Sequence, residues 1–459
     1  MKSSPNQQRE NWGSRLGFIL AAAGSAIGMG ALWKLPYTIG QNGGGAFIPL
    51  FFLLSLVVGV PLFMAELLVG RAGRRGTVGA FARLAPPGSM WNIGGWPALA
   101  AALLALSWYC VVAGWGFHYL LMTLADAFKD KSPRQVGGLF DLFRACGELN
   151  VLFQALFLTC TAVVVARGLS SGIERMSRLM TSGLFIMLVG LTLYGATLPG
   201  FGPAMRYVFT PDWTALTPQA MLQALGLALF TLSLGHGPII TYGSYMSTHE
   251  SIPYTSLLVS LANFAAVILI PLAIFPFVFS FGFAPREGAG ILFKTLPFVF
   301  EQLPGSLLLS GLFFTLFLFA ALTSSIAILE VPVTNLMDTR NWSRGRSVLV
   351  SCVLVFILGL PTALDESGGL FGMWLDLYGV NFLDTCNILV DWLVTLAALI
   401  TALFVGWGLP EHVRGEGFCA GSPRGKSLYR PWLWCMRLVV PISIALIVAQ
   451  RTGLLSSPA

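Results

Sequence analysis

The chain has 459 residues, of which 56% are hydrophobic and only 10% are charged, and its mean hydropathy is +0.76. An average soluble domain carries about 25% charged residues, so this composition excludes a soluble globular protein and predicts an all-α integral membrane protein within a lipid bilayer. The formal net charge of +7 comes from Lys and Arg residues spread over several loops. Such residues set the orientation of a membrane protein, so they indicate membrane topology and no nucleic-acid partner is expected.

Hydrophobic stretches repeat along the whole chain. A membrane-crossing helix needs about 20 predominantly apolar residues. On that criterion the sequence predicts eleven spans, at approximately residues 15–38, 44–69, 96–125, 148–167, 177–197, 216–243, 255–282, 305–338, 346–364, 374–408 and 430–450. Lys and Arg concentrate in alternate loops, so we expect a multi-pass protein of the cell (inner) membrane with a cytoplasmic N-terminus, a C-terminus outside and no removable signal peptide.

Two of the spans are interrupted by glycine. The first contains the segment 24–31, with the sequence GSAIGMGA, and the sixth contains the segment 233–238, with the sequence SLGHGP. Because lipid offers no hydrogen-bond partners, a spanning helix must satisfy its own backbone. Helices that unwind at the bilayer midplane free amides and carbonyls for a solute and its coupling ion. The pattern therefore predicts a secondary transporter with discontinuous helices 1 and 6.

Several polar residues lie inside other spans. Glu66 is an ionisable residue in the second span, where such groups are costly, and we expect it to accept hydrogen bonds from amides at a helix break. Trp108, in the third span, is more typical of packing than of ligand contact. In the eighth span, Thr323 and Ser324 could bond back to their own helix. Beside unwound helices, their hydroxyls could instead supply oxygens to Na⁺.

Several motifs, in order, resemble the signature segments of the neurotransmitter:sodium symporter family. They are Trp12 with Arg15-Leu16-Gly17, the first break with Trp33-Lys34-Leu35-Pro36, the segment 42–47, the segment 230–235 and the segment 322–327. The likeness extends from Arg9 to the tenth span, and it is strongest to bacterial amino-acid members with eleven spans. The rule that broken spans mark transport sites was drawn in part from this same family.

The resemblance implies an architecture with a five-plus-five inverted repeat. Residues 1–14 would form a cytoplasmic N-terminal gate segment, residues 15–197 the first repeat with helices 1 to 5, and residues 198–408 the second repeat with helices 6 to 10. Residues 409–459 would form a cytoplasmic loop and helix 11.

The resemblance also implies that sodium ions are carried. One site, whose side chains are intact, would use Gly24, Ile27, Ala320, Thr323 and Ser324. A second site would use Ala26, Thr231 and Asn263 with the substrate carboxylate, but Ala31 stands where the family usually has Asn. The family's anion region is replaced by Leu50, Leu227 and Val267. We therefore expect chloride independence and a doubtful second sodium site.

A zwitterionic substrate would lie between the two breaks. The implied contacts are Ser25, Ala26, Met29, Gly30, Ala105, Tyr109, Phe230, Thr231, Ser233, His236, Ser325 and Ile328. Gly28 occupies a position that is acidic in monoamine carriers, which favours the amino-acid branch. His236 stands where relatives commonly place an aromatic residue. It is either a flat, half-polar wall of the pocket or a titrating group, because the unperturbed pKa of histidine is about 6.5.

Two gates are implied by the same motifs. Lys34 and Asp384 would form the outer ion pair, with Phe230 as a lid over the substrate. Arg9 and Asp338 would form the inner pair. The inner pair would be supported by Trp12, Ser244 and Tyr245. Water-exposed ion pairs contribute only about 0–1 kcal/mol, so such pairs can hold one conformation without trapping it.

The sequence as a whole predicts a sodium-coupled symporter that imports an amino acid or a closely related zwitterionic derivative by alternating access. The alternative is a substrate-sensing or channel-like protein on the same scaffold, without tight ion coupling. An enzyme is not expected, because no span presents a paired-carboxylate, His-x-x-His or nucleophile–base set. The seven cysteines show no CxxC spacing, which argues against a disulfide framework or a thiolate metal site.

Overall fold

The computed structural model describes residues 9–42, 44–284, 290–367, 371 and 373–454. Over these residues the regular structure is helical, and the only β pairing is an isolated bridge between Gly44 and Pro211. Within the same residues, nine helices are long and apolar enough to cross a membrane, and a bent pair of helices makes a tenth. The prediction of an all-α, multi-pass membrane protein is therefore confirmed.

Thirteen helices build the bundle and are numbered here in chain order. They are α1 (Arg15–Ala26), α2 (Met29–Gln41), α3 (Phe47–Gly73), α4 (Trp96–Leu124), α5 (Gly147–Ala166), α6 (Leu169–Gly195), α7 (Pro218–Thr231), α8 (Pro238–Gly243), α9 (Ile252–Ser280), α10 (Ser306–Arg340), α11 (Arg344–Ala363), α12 (Phe382–Gly408) and α13 (Gly425–Arg451). Shorter helices connect them, at Thr77–Leu84, Pro133–Ala145, Phe201–Phe209, Leu296–Glu301, Trp374–Tyr378 and Glu411–Cys419.

The two predicted helix breaks are present. Helices α1 and α2 meet at residues 27–28 with a bend of 48°. Helix α7 has 14 residues and α8 only 6, and the chain between them takes positive φ at Ser233, Gly235 and Gly237. At about 1.5 Å per residue, neither α7 nor α8 alone reaches across a hydrocarbon core of about 30 Å.

Helices α4 and α10 lie at the centre of the bundle, where 78% of the apolar stretch of each is buried, against 28% for α13 at the edge. Helix α1 packs on α10 and α6, and α8 packs on α3 and α10, so both breaks lie beside the central helix α10. Outward-facing residues such as Ile357 and Ile442 are exposed, as expected of side chains that contact lipid tails.

The predicted start of the tenth span, at residue 374, is wrong. A separate short helix ends at Tyr378, where Gly379 adopts a left-handed conformation with φ 71°. The long helix begins at Phe382, because the Asn381 side chain accepts a hydrogen bond from the Asp384 amide at 2.7 Å and caps the first turn. Hydropathy does not reveal the interruption between Tyr378 and Phe382, because most residues on both sides of it are apolar.

Candidate functional site

The two helix breaks are joined directly to each other. The Ser233 hydroxyl donates to the Ser25 carbonyl at 2.8 Å, and the two serine hydroxyls lie 3.3 Å apart. In a continuous helix the Ser25 carbonyl would receive the Met29 amide. That amide instead donates to the Tyr109 hydroxyl at 3.2 Å. The break therefore frees a carbonyl of α1 and an amide of α2 for side-chain partners.

A cluster of oxygen atoms lies where α10 passes the first break. The Thr323 hydroxyl is 2.9 Å from the Gly24 carbonyl and 3.0 Å from the Ala320 carbonyl. The Ser324 hydroxyl is 3.0 Å from the Ser25 carbonyl and 3.4 Å from that of Gly24. Two hydroxyl protons thus face a larger number of acceptor oxygens. Such a surplus of neutral oxygens suits a hard cation such as Na⁺.

The cluster differs in detail from the expected ligand set. The Ser25 carbonyl, which the sequence assigned to the substrate, contacts the Ser324 hydroxyl. Ile27 lies at the break itself, with φ −91° and ψ 58°, and its amide closes the last turn of α1 on Ala23. Neither hydroxyl of the cluster donates to the Ile27 carbonyl within the described residues.

A second group of polar atoms is buried without partners. The Thr231 hydroxyl and both side-chain amide atoms of Asn263 have no hydrogen-bond partner among the described residues. Leaving a buried polar group unpaired costs about 1–3 kcal/mol, so these oxygens suit a ligand. The same region also contains apolar residues, since Ala31, Leu227 and Val267 are buried and contribute no side-chain oxygen.

A cavity of about 40 Å³ lies between the two breaks. Its lining consists of Ser25, Ala26, Gly28, Gly30, Ala31, Ala105, Trp108, Tyr109, Phe230, Ser233, His236, Ser324 and Ile328. Most of the predicted substrate contacts are thereby brought together around one cavity. Its polar groups come from α1, α4, the α7–α8 break and α10.

Three of the predicted contacts are not in the lining of this cavity. Met29 contributes its amide to Tyr109, and Thr231 belongs to the unpartnered group. Ser325 turns away, since its hydroxyl pairs with the Thr161 hydroxyl at 2.9 Å. Conversely, Trp108 lines the cavity, with a buried indole N–H that lacks a partner among the described side chains. The sequence indicated this position, because Trp108 directly precedes the predicted contact Tyr109, but Trp108 was interpreted as a packing residue.

His236 borders the cavity within the α7–α8 break. Its Nδ1 lies 3.2 Å from the Leu234 carbonyl, and because a carbonyl can only accept, Nδ1 is the donor. In the neutral ring Nε2 then carries a lone pair. The Phe230 ring is edge-on, with ring centroids 6.0 Å apart. His236 therefore gives the pocket wall one hydrogen-bond acceptor beside the aromatic ring of Phe230.

Glu66 holds the second break as predicted. One carboxylate oxygen accepts the Gly235 amide at 2.7 Å, and the residue is fully buried. Gly235 has φ 76°, so the carboxylate fixes a left-handed turn that an L side chain rarely adopts. This contact stabilises the unwound segment between α7 and α8.

The structure does not bring Lys34 and Asp384 together. Lys34 lies over the Phe230 ring, 4.4 Å from its centroid. Asp384 is exposed on the first turn of α12 and forms no ion pair with Lys34. The acidic residue that shares a cavity of about 340 Å³ with Lys34 is Asp391, which pairs with Arg451 at 3.3 Å. Asp391 lies about two helical turns beyond the predicted Asp384 on α12.

The predicted inner pair is formed. One Arg9 nitrogen donates to both oxygens of Asp338, at 2.9 and 2.8 Å. The Arg9 guanidinium also lies over the Tyr245 ring, 4.7 Å from its centroid. The Trp12 indole donates to the Tyr242 carbonyl at 3.1 Å. The N-terminal segment is thereby fixed to α8 and α10 at one end of the bundle.

The predicted supporting role of Ser244 is not seen as a contact with the pair, because its hydroxyl donates to the Thr241 carbonyl of its own helix. Two other buried acids, which the sequence analysis did not assign, support the segment instead. Glu330 accepts from the Tyr245 hydroxyl at 2.6 Å and pairs with Arg344 at 2.9 Å. Glu174 accepts the Gly13 amide at 2.7 Å. The rule that selected Glu66, an acid inside a span, would have selected Glu330.

Comparisons with known proteins agree with these features. The model of the "Sodium:neurotransmitter symporter family" matches residues 9–134 and 128–451. An uncharacterized sodium-dependent transporter of Bacillus subtilis, YhdH, is 37% identical over 98% of this chain and 99% of its own length. An uncharacterized sodium-dependent transporter of Haemophilus influenzae is 31% identical over 96% of this chain and 98% of its own length.

A solved structure matches the fold closely. The crystal structure of MhsT in complex with L-phenylalanine has a TM-score of 0.87 and 36% identity, and the match covers 96% of this chain and 99% of that one. The relatives are transporters and not enzymes. The ordered motifs, the two broken helices and these matches lead to one conclusion, that the chain belongs to the sodium:neurotransmitter symporter family.

Proposed function

We propose that the protein is a sodium-coupled symporter that imports an amino acid or a closely related zwitterionic derivative by alternating access. The observation that carries this proposal is the surplus of oxygens around Thr323 and Ser324, directly beside the cavity between the two breaks. A sodium ion there would bind the freed carbonyls of α1 and the hydroxyls of α10. Its binding would thereby stabilise the arrangement of the broken helix that holds the solute.

The solute would lie with its charged ends on the two breaks. The N-terminus of α2, with the amides around Met29 and Gly30, would face the carboxylate, together with the Tyr109 hydroxyl, because helix N-termini favour negative charge. Freed carbonyls near Ala26 and Phe230 would accept the ammonium group, with help from Ser233. An amino acid is supported by the L-phenylalanine bound to MhsT and by Gly28, which offers no acidic side chain to a monoamine.

The architecture proposed from the sequence has eleven spans. The α1–α2 pair would be span 1 and the α7–α8 pair span 6, with the residue divisions 1–14, 15–197, 198–408 and 409–459 given above. Spans 1 to 5 and 6 to 10 would be inverted repeats about an axis in the membrane plane. Residues 1–14 would lie in the cytoplasm and α13 would lead outward across the inner membrane, since this orientation places most loop arginines inside.

For the gates we propose two ion pairs. Arg9 and Asp338 would close the inner side. On the outer side Lys34 would engage Asp391, because the two share one cavity and Asp384 is remote from it. Asp391 would then exchange its present partner, Arg451, for Lys34 when the Phe230 lid closes. Lys34 cannot form the two-pronged contact of an arginine, so this pair would open more readily.

We expect coupling to a single sodium ion without chloride. The second site lacks a side-chain ligand at Ala31, and the apolar residues in place of the family's anion region provide no charge balance. Thr231 and Asn263 alone supply few oxygens. The Hill coefficient for Na⁺ in uptake should be near one, and replacing chloride by gluconate should leave the rate unchanged. A Hill coefficient clearly above one would show that the unpartnered oxygens of Thr231 and Asn263 hold a second ion.

Substitution of His236 should change which solutes are accepted. In His236→Phe the acceptor at Nε2 is lost, so we expect preference to move from solutes with a polar or heteroaromatic side chain to plain aliphatic or aromatic ones, by about tenfold. Sodium affinity should stay nearly unchanged. His118→Phe is the matched control, because His118 stacks on Phe143 with ring centroids 4.0 Å apart, away from the cavity. Identical competition profiles for the two variants would refute this role.

The solute itself can be identified by competition. The purified chain in proteoliposomes would take up a labelled amino acid in the presence of an excess of each of the other amino acids and of their amides and decarboxylated amines. The proposal predicts strong competition only by compounds that keep both the carboxylate and the ammonium group. Equal competition by the decarboxylated amines would contradict the carboxylate site at α2. A sensor or channel-like protein would show binding but no accumulation.

A further inference from the structure

A large cleft lies apart from the transport site, between α3, the α8–α9 loop and the beginning of α13. It has a volume of about 880 Å³, which is within the usual range of small-molecule sites. Its lining includes Arg15, His249, Glu250 and Arg424, which lie at helix ends or in loops, and Leu56, Val57 and Leu257, which lie within helices. The cleft is therefore polar at one end and apolar along the rest of its length.

The apolar part opens on the outer surface of the helix bundle. Leu56, Leu257 and Leu428 come from three different helices and are 51%, 41% and 44% exposed. Their helices run from the polar end into the bundle's apolar zone. A ligand with hydrocarbon chains would place the chains along these leucines and its polar head beside the arginines.

The walls of the cleft are held in place by buried hydrogen bonds. The Arg71 guanidinium donates to the Glu250 carbonyl at 2.6 Å and also to the Gly417 carbonyl, so it ties the α8–α9 loop to the segment before α13. The Trp432 indole donates to the Pro61 carbonyl at 3.0 Å and ties α13 to α3. A site whose walls are fixed before binding costs little conformational entropy when a ligand enters.

The charged groups at the polar end lack full complements of partners. Arg424 forms no ion pair with any described residue, and Arg15 lies over the Tyr254 ring, 4.2 Å from its centroid. One oxygen of the Glu250 carboxylate is inaccessible to solvent and has no hydrogen-bond partner. Burial raises the pKa of Glu250 above its ordinary value, and the nearby Arg15 and Arg71 offset this only in part. The carboxylate would gain from a further cation.

We propose that this cleft binds a phospholipid with an ammonium headgroup, of the phosphatidylethanolamine type. Its phosphate would bind Arg15 and Arg424, its ammonium group would bind the Glu250 carboxylate, and one acyl chain would lie along Leu56, Leu257 and Leu428. Charge-assisted hydrogen bonds from both headgroup charges would distinguish it from other lipids. Arg15 begins α1, so the lipid would contact the helix whose break forms the transport site.

Lipid retention by the purified full chain tests the headgroup assignment. The chain in detergent would be mixed with equal amounts of dioleoyl phosphatidylethanolamine, phosphatidylcholine and phosphatidylglycerol, and the retained lipid would be counted by native mass spectrometry. We expect about tenfold preference for phosphatidylethanolamine, since trimethylation removes every N–H donor and phosphatidylglycerol lacks the ammonium group. Equal retention of the three lipids, or preference for phosphatidylglycerol, would overturn the proposal.

Variants separate the groups that would bind each charge. Glu250→Gln should abolish the preference over phosphatidylcholine while total retention persists, and Arg424→Ala should lower retention of all three lipids. Lys426→Ala is the control, since Lys426 is exposed and outside the cleft. Leu428→Trp should fill the apolar part and exclude lipid. Retention in Arg424→Ala that matches Lys426→Ala would overturn the proposal. So would a lipid-free chain that forms a dimer which Leu428→Trp disrupts, because a second copy of the chain would then cover the cleft.

Discussion

Thr323→Ala should raise the sodium concentration needed for half-maximal uptake by roughly tenfold or more. The Thr323 hydroxyl is fully buried and lies within 3.0 Å of the Gly24 carbonyl of α1 and of the Ala320 carbonyl of α10. Removing it would take one ligand from a desolvated cation, and a buried partner lost in this way costs about 1–3 kcal/mol. The measurement is uptake of labelled amino acid into proteoliposomes as a function of external Na⁺.

Two matched variants distinguish loss of a ligand from loss of stability. Thr323→Ser keeps the hydroxyl and should restore most of the sodium affinity. Thr401→Ala removes another buried hydroxyl, one that donates to the Ala397 carbonyl of its own helix at 2.9 Å, and should leave sodium affinity unchanged. If Thr323→Ala retained the sodium dependence of the unaltered chain, the oxygen cluster would not be the coupling site.

Arg9→Ala should open the inner side of the bundle. Arg9 and Asp338 are only 14% and 19% exposed, so their interaction is screened less than that of a surface pair. Its loss also removes the contact with the Tyr245 ring. We expect about tenfold faster labelling of a cysteine placed at Thr241, measured as the increment over the chain's seven native cysteines.

A charge swap provides the internal test of this gate. The double variant Arg9→Asp with Asp338→Arg should restore closure only in part, because the Gly76 amide, which donates to Asp338 at 2.5 Å, would then face a cation. Lys294→Ala breaks a more exposed pair with Asp141 and should change nothing at Thr241. Equal labelling of Thr241→Cys with and without Arg9 would show that the pair does not hold the inner side closed.

The two helix breaks were predictable from the sequence, because glycine and proline act directly on backbone conformation. Glycine at 24–30 and glycine with proline at 233–238 predicted interrupted helices, and the chain leaves the helical conformation at 27–28 and between Thr231 and Pro238. Sequence reasoning failed at residue 374, where Trp374–Tyr378 is rich in large apolar residues despite Asp376. There, one left-handed glycine and one asparagine cap separate it from α12.

The individual residues of the candidate site were predictable from the sequence, but the pairings between them were not. Resemblance placed Thr323, Ser324, Tyr109 and His236 around the breaks, and they meet there. It could not show that Asp391 rather than Asp384 shares a cavity with Lys34, because both are acids on one helix. The offset of seven positions between them corresponds to about 10 Å along the helix axis. Nor could it show that Ser325 turns to Thr161, since side-chain direction depends on packing.

Accumulation against a gradient tests the central claim most directly. Proteoliposomes of the purified chain would be loaded with a labelled amino acid at the external concentration, and an inward Na⁺ gradient would then be imposed. The account predicts that the internal concentration rises several-fold above the external one and that Thr323→Ala abolishes the rise at the same sodium concentration. Equal internal and external concentrations, or the same rise with choline in place of Na⁺, would contradict it.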